Sequence, residues 1–96
     1  MNWPEYVTTH SLQILGEGRR MSARQVADSI ISRNLDNPFY AQFRINDLGW
    51  SDMRLIRRVK EILRTHATYP RGNARLRTDG RCADGIIYTQ NQEFRP

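Results

Sequence analysis

Apolar residues along the chain predict three helices followed by a pair of short strands. The clearest pattern lies between Gly49 and His66, where apolar residues recur every three or four positions, the spacing of one helical face. The bases of this segment occupy the opposite face. Ser51 is placed to cap this helix, and Asp52 suits the positive end of its dipole. The apolar face consists of Leu55, Ile56, Val59, Ile62 and Leu63, and the basic face consists of Arg54, Arg57, Arg58, Lys60 and Arg64.

Two further helices are predicted before this segment. The first runs from Glu5 to about Leu15, with Pro4 at its first turn. Glycines follow it, and glycine accepts the left-handed conformation that is common at helix ends. The second helix comes after a short extended step and begins at Ser22, which together with Gln25 gives a capping-box pattern. Its inward stripe consists of Ala23, Val26, Ala27, Ile30 and Ile31.

The segment from Leu35 to Leu48 leaves two interpretations open. Its Asp-Asn-Pro sequence at residues 36–38 is a turn signal, but the residues that follow are too apolar for a free loop. Either a short helix or a turn-rich hydrophobic segment is expected here.

A β-hairpin is predicted after the long helix. The runs Ala74–Thr78 and Gly85–Thr89 are rich in strand-favouring residues, and the residues between them supply the glycine and aspartate of a turn. Leu76 is expected to point inward between Arg75 and Arg77.

Charge is distributed unevenly along the chain. Residues 1–48 contain five bases and five acids, whereas residues 49–96 contain ten bases and five acids and so carry the whole net charge of +5. Between Met53 and Arg81 there are nine bases and two acids. Fourteen of the fifteen bases are arginine, whose planar fork grips a phosphate or a guanine edge with two bonds. The clustering favours a polyanionic partner.

Composition argues against several other classes of protein. The chain has no apolar run near the ~20 residues of a membrane span, and residues 1–6 lack the pattern of a secretory signal, so a cytoplasmic protein is expected, associated with the nucleoid if it binds DNA. Cys82 is the only cysteine, which excludes an internal disulfide. It is expected to be a small, half-buried packing residue.

The sequence contains no cluster of residues that would indicate catalysis or metal binding. His10 and His66 belong to separate helices, and the chain has no His/Cys cluster, glycine-rich phosphate loop or converging group of acids. We therefore expect a protein without catalytic activity, cofactor or metal.

The order helix, extended step, helix, helix and basic hairpin resembles the winged helix-turn-helix domain. Three stretches carry the resemblance: Leu15–Ile30 (LGEGRRMSARQVADSI), Trp50–His66 (WSDMRLIRRVKEILRTH) and Arg75–Gln90 (RLRTDGRCADGIIYTQ). The resemblance implies a single, mainly helical α+β domain over residues 1–96, with three or four helices and a C-terminal wing. Its ordered core would span about residues 4–90, and residues 91–96 would form a loose tail. One departure is that the connection before the long helix is much longer than a helix-turn-helix normally has.

The resemblance also implies which residues would meet DNA. An α-helix fits the major groove, where side chains near its N-terminus reach base edges. The long helix would supply Ser51, Asp52, Arg54 and Arg58 at that end, with Arg57 and Arg64 further along toward phosphates. The wing would place Arg75, Arg77 and Arg81 on the backbone or in the minor groove, and the second helix would place Ser22 and Arg24 against a phosphate.

Sequence-specific binding of double-stranded DNA is therefore the expected function, in a homodimer that acts as a small transcriptional regulator or an accessory factor of a phage or mobile element. The alternative is a winged-helix protein-interaction module, an adaptor or inhibitor whose basic face binds an acidic protein partner. RNA binding is a third class, although the sequence lacks the aromatic sheet pattern of single-strand readers.

Overall fold

The chain forms four helices and a small sheet within the part that the computed structural model describes, residues 3–46, 52–68 and 73–95. The helices are α1 (Trp3–Gly16), α2 (Ala23–Arg33), α3 (Pro38–Asn46) and α4 (Asp52–His66). The strands are β1 (Met21–Ser22), β2 (Ala67–Thr68), β3 (Leu76–Cys82) and β4 (Gly85–Gln90). Their order in the sheet is β1-β4-β3-β2, with β1, β4 and β3 antiparallel and β2 parallel to β3. This α+β architecture is compatible with a winged-helix-like fold.

The hydrophobic core lies between the sheet and helices α1, α2 and α4. Helix α4 buries Leu55, Val59 and Leu63 and packs on α1 and α2. Leu76 of β3 and Tyr88 of β4 close the core from the sheet. The predicted inward direction of Leu76 is confirmed, because it is buried while its two arginine neighbours are exposed. Within the described ranges, no helix combines the length and apolar character needed to cross a membrane.

Local sequence explains where α2 begins. The Ser22 backbone N–H donates to Gln25 Oε1 at 2.9 Å, and the Gln25 backbone N–H donates to Ser22 Oγ at 3.3 Å. These two bonds satisfy N–H groups that the first turn of a helix leaves without a partner. The predicted capping box is confirmed.

The segment whose conformation the sequence left open contains helix α3. Asn37 caps it, since the Phe39 backbone N–H donates to Asn37 Oδ1 at 2.9 Å, and Pro38 occupies the first helical position, where it is well tolerated. Tyr40 is buried, and the Phe39 ring lies 5.0 Å from the ring of Tyr6 in α1. Phe39 and Tyr40 therefore place α3 against α1.

The hairpin differs from the prediction in the position of its turn. The Gly- and Asp-containing segment after Thr78 continues as strand β3, and the turn consists of only Ala83 and Asp84, between the paired residues Cys82 and Gly85. Thr78 pairs with Tyr88, but Arg81 pairs with Ile86, so two residues of β3 lie opposite one residue of β4. This is a β-bulge. Asp79 and Gly80, which the sequence predicts to lie in the turn, form the bulge instead.

Cys82 is exposed, so the expectation of a half-buried packing residue is wrong. It lies at the end of β3, beside the turn and beyond the sheet residues that cover the core.

The polar tail makes contacts that the sequence did not predict. The Asn91 backbone N–H donates to the Arg75 carbonyl at 2.9 Å, and the Asn91 amide donates to the Ala74 carbonyl at 2.8 Å. Further on, Asn73 and Arg95 exchange two hydrogen bonds of 2.7 and 2.6 Å. The tail thus returns along the residues that precede β3.

Candidate nucleic-acid interface

Helix α4 presents cations on the side that faces away from the core. All five residues of the basic face are exposed. At 3.6 residues per turn, Arg57, Lys60 and Arg64 fall within an arc of roughly 60° on the far side of the helix from Val59. We call these three residues the basic row. Arg54 and Arg58 flank it on one side.

Glu61, the acid on this face of α4, forms an ion pair with one of the two flanking arginines. Arg58 Nη1 lies 3.2 Å from Glu61 Oε2, an ion pair between positions i and i+3. None of the three residues of the basic row, nor Arg54, forms an ion pair with another residue that the structure describes. Their charges therefore face solvent.

Both acids of the hairpin pair with arginines from the first half of the chain. Arg20 Nε lies 2.5 Å from Asp79 Oδ2, and Arg24 Nη1 lies 3.9 Å from Asp84 Oδ1. Arg20 directly precedes β1, and Arg24 lies in the first turn of α2. The hairpin is thus held against the start of α2 by two ion pairs, and its own arginines are not needed to neutralise its acids.

The arginines of the hairpin lie on two different faces of the sheet. Directly opposite residues of an antiparallel pair share a face. Arg77 pairs with Thr89, whereas Arg81 pairs with Ile86 on the face where Tyr88 meets the helices. Arg75 precedes Arg77 by two positions, and its guanidinium lies 5.6 Å from the centre of the Phe94 ring, a cation–π distance. The hairpin therefore does not present its three arginines as one group.

Ser22 is a poor candidate for contact with a phosphate. Its side chain is fully buried, and its hydroxyl already accepts the Gln25 N–H of the capping box. The Ser22 hydroxyl caps α2 within the core and does not face solvent, so of the two residues predicted at the start of α2 only Arg24 is exposed.

The other predicted contact residues are exposed wherever the structure describes them. These are Arg24, Asp52, Arg54, Arg57, Arg58, Arg64, Arg75, Arg77 and Arg81. Ser51, the predicted cap of α4, lies outside the described residues.

Two links connect the helices with the hairpin. Arg24 of α2 pairs with Asp84 at the turn, and β2 follows α4 directly and pairs with β3 at Arg77.

Two bases absent from the predicted set belong to this region. Lys60 shares the basic row with Arg57 and Arg64, and the same helical spacing that identified those arginines identifies it. Arg20 contributes through its pair with Asp79, for which the sequence carries no signal because the two residues are 59 positions apart.

Bases in the first half of the chain are engaged with a different acid. Two nitrogens of Arg33 each lie 2.7 Å from an oxygen of Glu17, and Arg19 Nε lies 3.7 Å from the same carboxylate. The hydrogen bonds from Arg33 lower the pKa of Glu17 below its ordinary value. Burial lowers the pKa of His10, and the charge of Arg33 lowers it further. Arg19 and Arg33 therefore share one acidic partner within the protein.

Similarity to known proteins does not assign a role to the surface. Comparisons of the chain with protein-family models, with curated proteins and with solved structures found no significant match. Among the described residues, no group of three or more His, Cys, Asp or Glu side chains could hold a metal ion.

Proposed function

We propose that this protein binds double-stranded DNA as a winged helix-turn-helix domain. Helix α4 would enter the major groove, and the β3–β4 hairpin would act as the wing. Binding would occlude or bend the DNA without chemistry, as expected of a small regulator or an accessory factor of a phage or mobile element.

The observation that carries this proposal is the way the ion pairs are distributed. Asp79, Asp84 and Glu61 each have an arginine partner, while the basic row and Arg81 are exposed without an ion pair to any described residue. Water alone can hydrate exposed cations, but their concentration on one helix and one hairpin matches the closely spaced charges of a polyanion. A polyanion such as DNA would pair with these exposed cations.

The order of the elements supports the same proposal. Helix, short strand, helix, helix and hairpin follow one another as in the winged helix-turn-helix, with α3 occupying the long connection before α4. In this arrangement Arg54 and Arg58 would lie near the groove-entering end of α4, where base edges are read. Arg57 and Arg64 would contact phosphates further along α4. Arg81, in the wing, would contact the DNA backbone or the minor groove.

Fluorescence anisotropy with a labelled DNA duplex tests the proposal. About six phosphate contacts predict that log K falls with log[salt] with a slope of about −5, because each contact releases condensed counterions. An RNA duplex of matching length is the control, since its deep and narrow major groove excludes side chains. Absence of binding to DNA at low salt would refute the proposal, and binding that is insensitive to salt would count against it.

An acidic protein partner is the second candidate, and one exposed side chain favours it. Met53 is 60% exposed in the first turn of α4, on the same helical row as Arg57. Methionine and arginine are both enriched in protein interfaces. Two experiments distinguish the candidates: competition with polyglutamate, and affinity purification after nuclease treatment. One acidic protein retained without nucleic acid favours the acidic protein partner.

The homodimer remains a prediction. Selection of bound sequences from random DNA tests it, because a palindromic product indicates a two-fold dimer.

A further inference from the structure

Asp79 makes the shortest ion pair of the hairpin and is one of two acids on a hairpin that also carries three arginines. Its carboxylate accepts from Arg20 Nε at 2.5 Å, and its backbone carbonyl accepts from Arg20 Nη2 at 3.3 Å. Arg20 precedes β1, which pairs with one side of β4, whereas Asp79 belongs to β3 on the other side. One arginine therefore bridges the sheet across β4 with two contacts.

The bridge is made at the β-bulge. Asp79 and Gly80 together lie opposite Ile87, between the pairs Thr78–Tyr88 and Arg81–Ile86. Gly80 has a φ of +82°, a conformation that residues with a Cβ rarely adopt. Arg20 thus contacts the extra residue of β3 at the point where the register changes.

The bulge determines which way Arg81 faces. In a regular strand, residues two and four positions apart share a face, so Arg81 would lie on the face of Arg77. The extra residue reverses the alternation, and Arg81 pairs with Ile86 on the helix-facing side. Helix α2 packs against β4, and its Arg24 pairs with Asp84 of the turn.

We infer that Asp79 is a positioning residue of the DNA-binding surface: its pair with Arg20 holds the bulge that directs Arg81 toward the start of α2. This inference rests on the proposed function. It gives an acid in the basic hairpin a role that charge alone does not suggest, because loss of a negative charge would otherwise improve binding to DNA.

Asp84 provides a matched comparison. It belongs to the same hairpin, but it lies in the turn beyond the bulge and makes a single, longer contact of 3.9 Å with Arg24. Asp79→Asn and Asp84→Asn change the net charge equally. If the carboxylates act only through charge, both variants bind DNA more tightly than the unaltered protein. If Asp79 positions Arg81, the two variants differ.

The experiment measures DNA affinity and amide hydrogen exchange for both variants. Asp84→Asn is expected to bind about two- to fivefold more tightly, since it removes a repulsive charge and releases Arg24. Asp79→Asn is expected to bind at least twofold more weakly than Asp84→Asn, and its amides at Gly80, Arg81 and Cys82 are expected to exchange about two- to fivefold faster. Exchange in α1 and α2 should not change.

A third variant shows whether Asp79 acts through Arg81. In an Arg81→Ala background, the affinity difference between the two aspartate variants is expected to disappear, because the side chain that Asp79 positions is absent. A difference that persists there would overturn the inference, and so would equal gains in affinity with unchanged exchange at residues 80–82. If the unaltered protein does not bind DNA, the proposed function fails and the inference fails with it, whereas DNA binding with no difference between the two aspartate variants overturns the inference alone.

Discussion

Helices α2 and α4 bury similar surfaces and present different ones to solvent. They pack against each other, and each buries the central residues of its apolar stripe. The two arginines of α2 each pair with an acid from another element, Arg24 with Asp84 and Arg33 with Glu17. The basic row of α4 has no such partner among the described residues. The fold needs the buried faces of both helices, but it does not need the charges on α4, so those charges are the part of the helix that is free to serve a ligand.

The largest effects should come from the faces that the two helices share. Ile30→Ala in α2 and Leu63→Ala in α4 are each expected to lower the free energy of unfolding by about 2–5 kcal/mol, because both side chains are fully buried and leave a cavity. Urea denaturation followed by circular dichroism measures this. A loss below about 1 kcal/mol in either helix would mean that its buried face does not support the core as described.

The exposed faces should differ in DNA binding. Arg57→Gln with Arg64→Gln is expected to reduce DNA affinity roughly ten- to thirtyfold at ~0.15 M salt and to reduce the salt slope by about 1.8, since two phosphate contacts are lost. The matched control, Arg19→Gln with Arg33→Gln, removes the same charge from residues that already pair with Glu17.

We expect the control to weaken binding less than threefold, with a slope change well below the ~0.9 of a single lost contact. Equal losses in the two double variants, measured by the same anisotropy titration, would show that only net charge matters.

A smaller effect separates capping from ligand contact at the start of α2. Ser22→Ala is expected to lower the free energy of unfolding by about 1 kcal/mol, because the capping box loses its hydroxyl. DNA affinity should not change, since the buried serine does not reach a phosphate. A loss of affinity of about fivefold, the roughly 1 kcal/mol of one lost hydrogen bond, would restore Ser22 to the contact surface.

The smallest effect concerns the internal pairing of α2. Glu17 has a lowered pKa in the folded protein, so its contribution to stability is present above the unfolded pKa of about 4.3 and is lost as the pH falls through the lower, folded pKa. NMR titration of the Glu17 carboxyl should give a pKa below the ordinary value, and Arg33→Gln should raise it. A pKa that Arg33→Gln leaves unchanged would contradict the pairing.

Local patterns predicted the helices well and the sheet poorly. The capping box at Ser22 and the apolar stripe of α4 depend on residues within one or two turns, which the sequence shows directly. Strands β1 and β2 are two residues each and exist only because β4 and β3 lie beside them. The sequence predicts a turn where the structure has a bulge at Gly80, because glycine and aspartate favour both.

The candidate surface was predictable only in part for the same reason. Helical spacing placed Arg57 and Arg64 on an exposed face, but the partners of Arg20 and Arg24 depend on how the hairpin docks on α2. The split between Arg77 and Arg81 depends on one extra residue in β3, which no period in the sequence reveals.

Mapping the DNA contact by NMR tests the central claim most directly. Backbone amide signals of the protein would be followed during titration with a DNA duplex that it binds. We expect the largest shifts in residues 54–64 of α4 and 77–84 of the hairpin, with the later part of α2, residues 28–33, little affected. Shifts confined to one of the first two regions, or centred on residues 28–33, would contradict the claim that α4 and the hairpin form one DNA-binding surface.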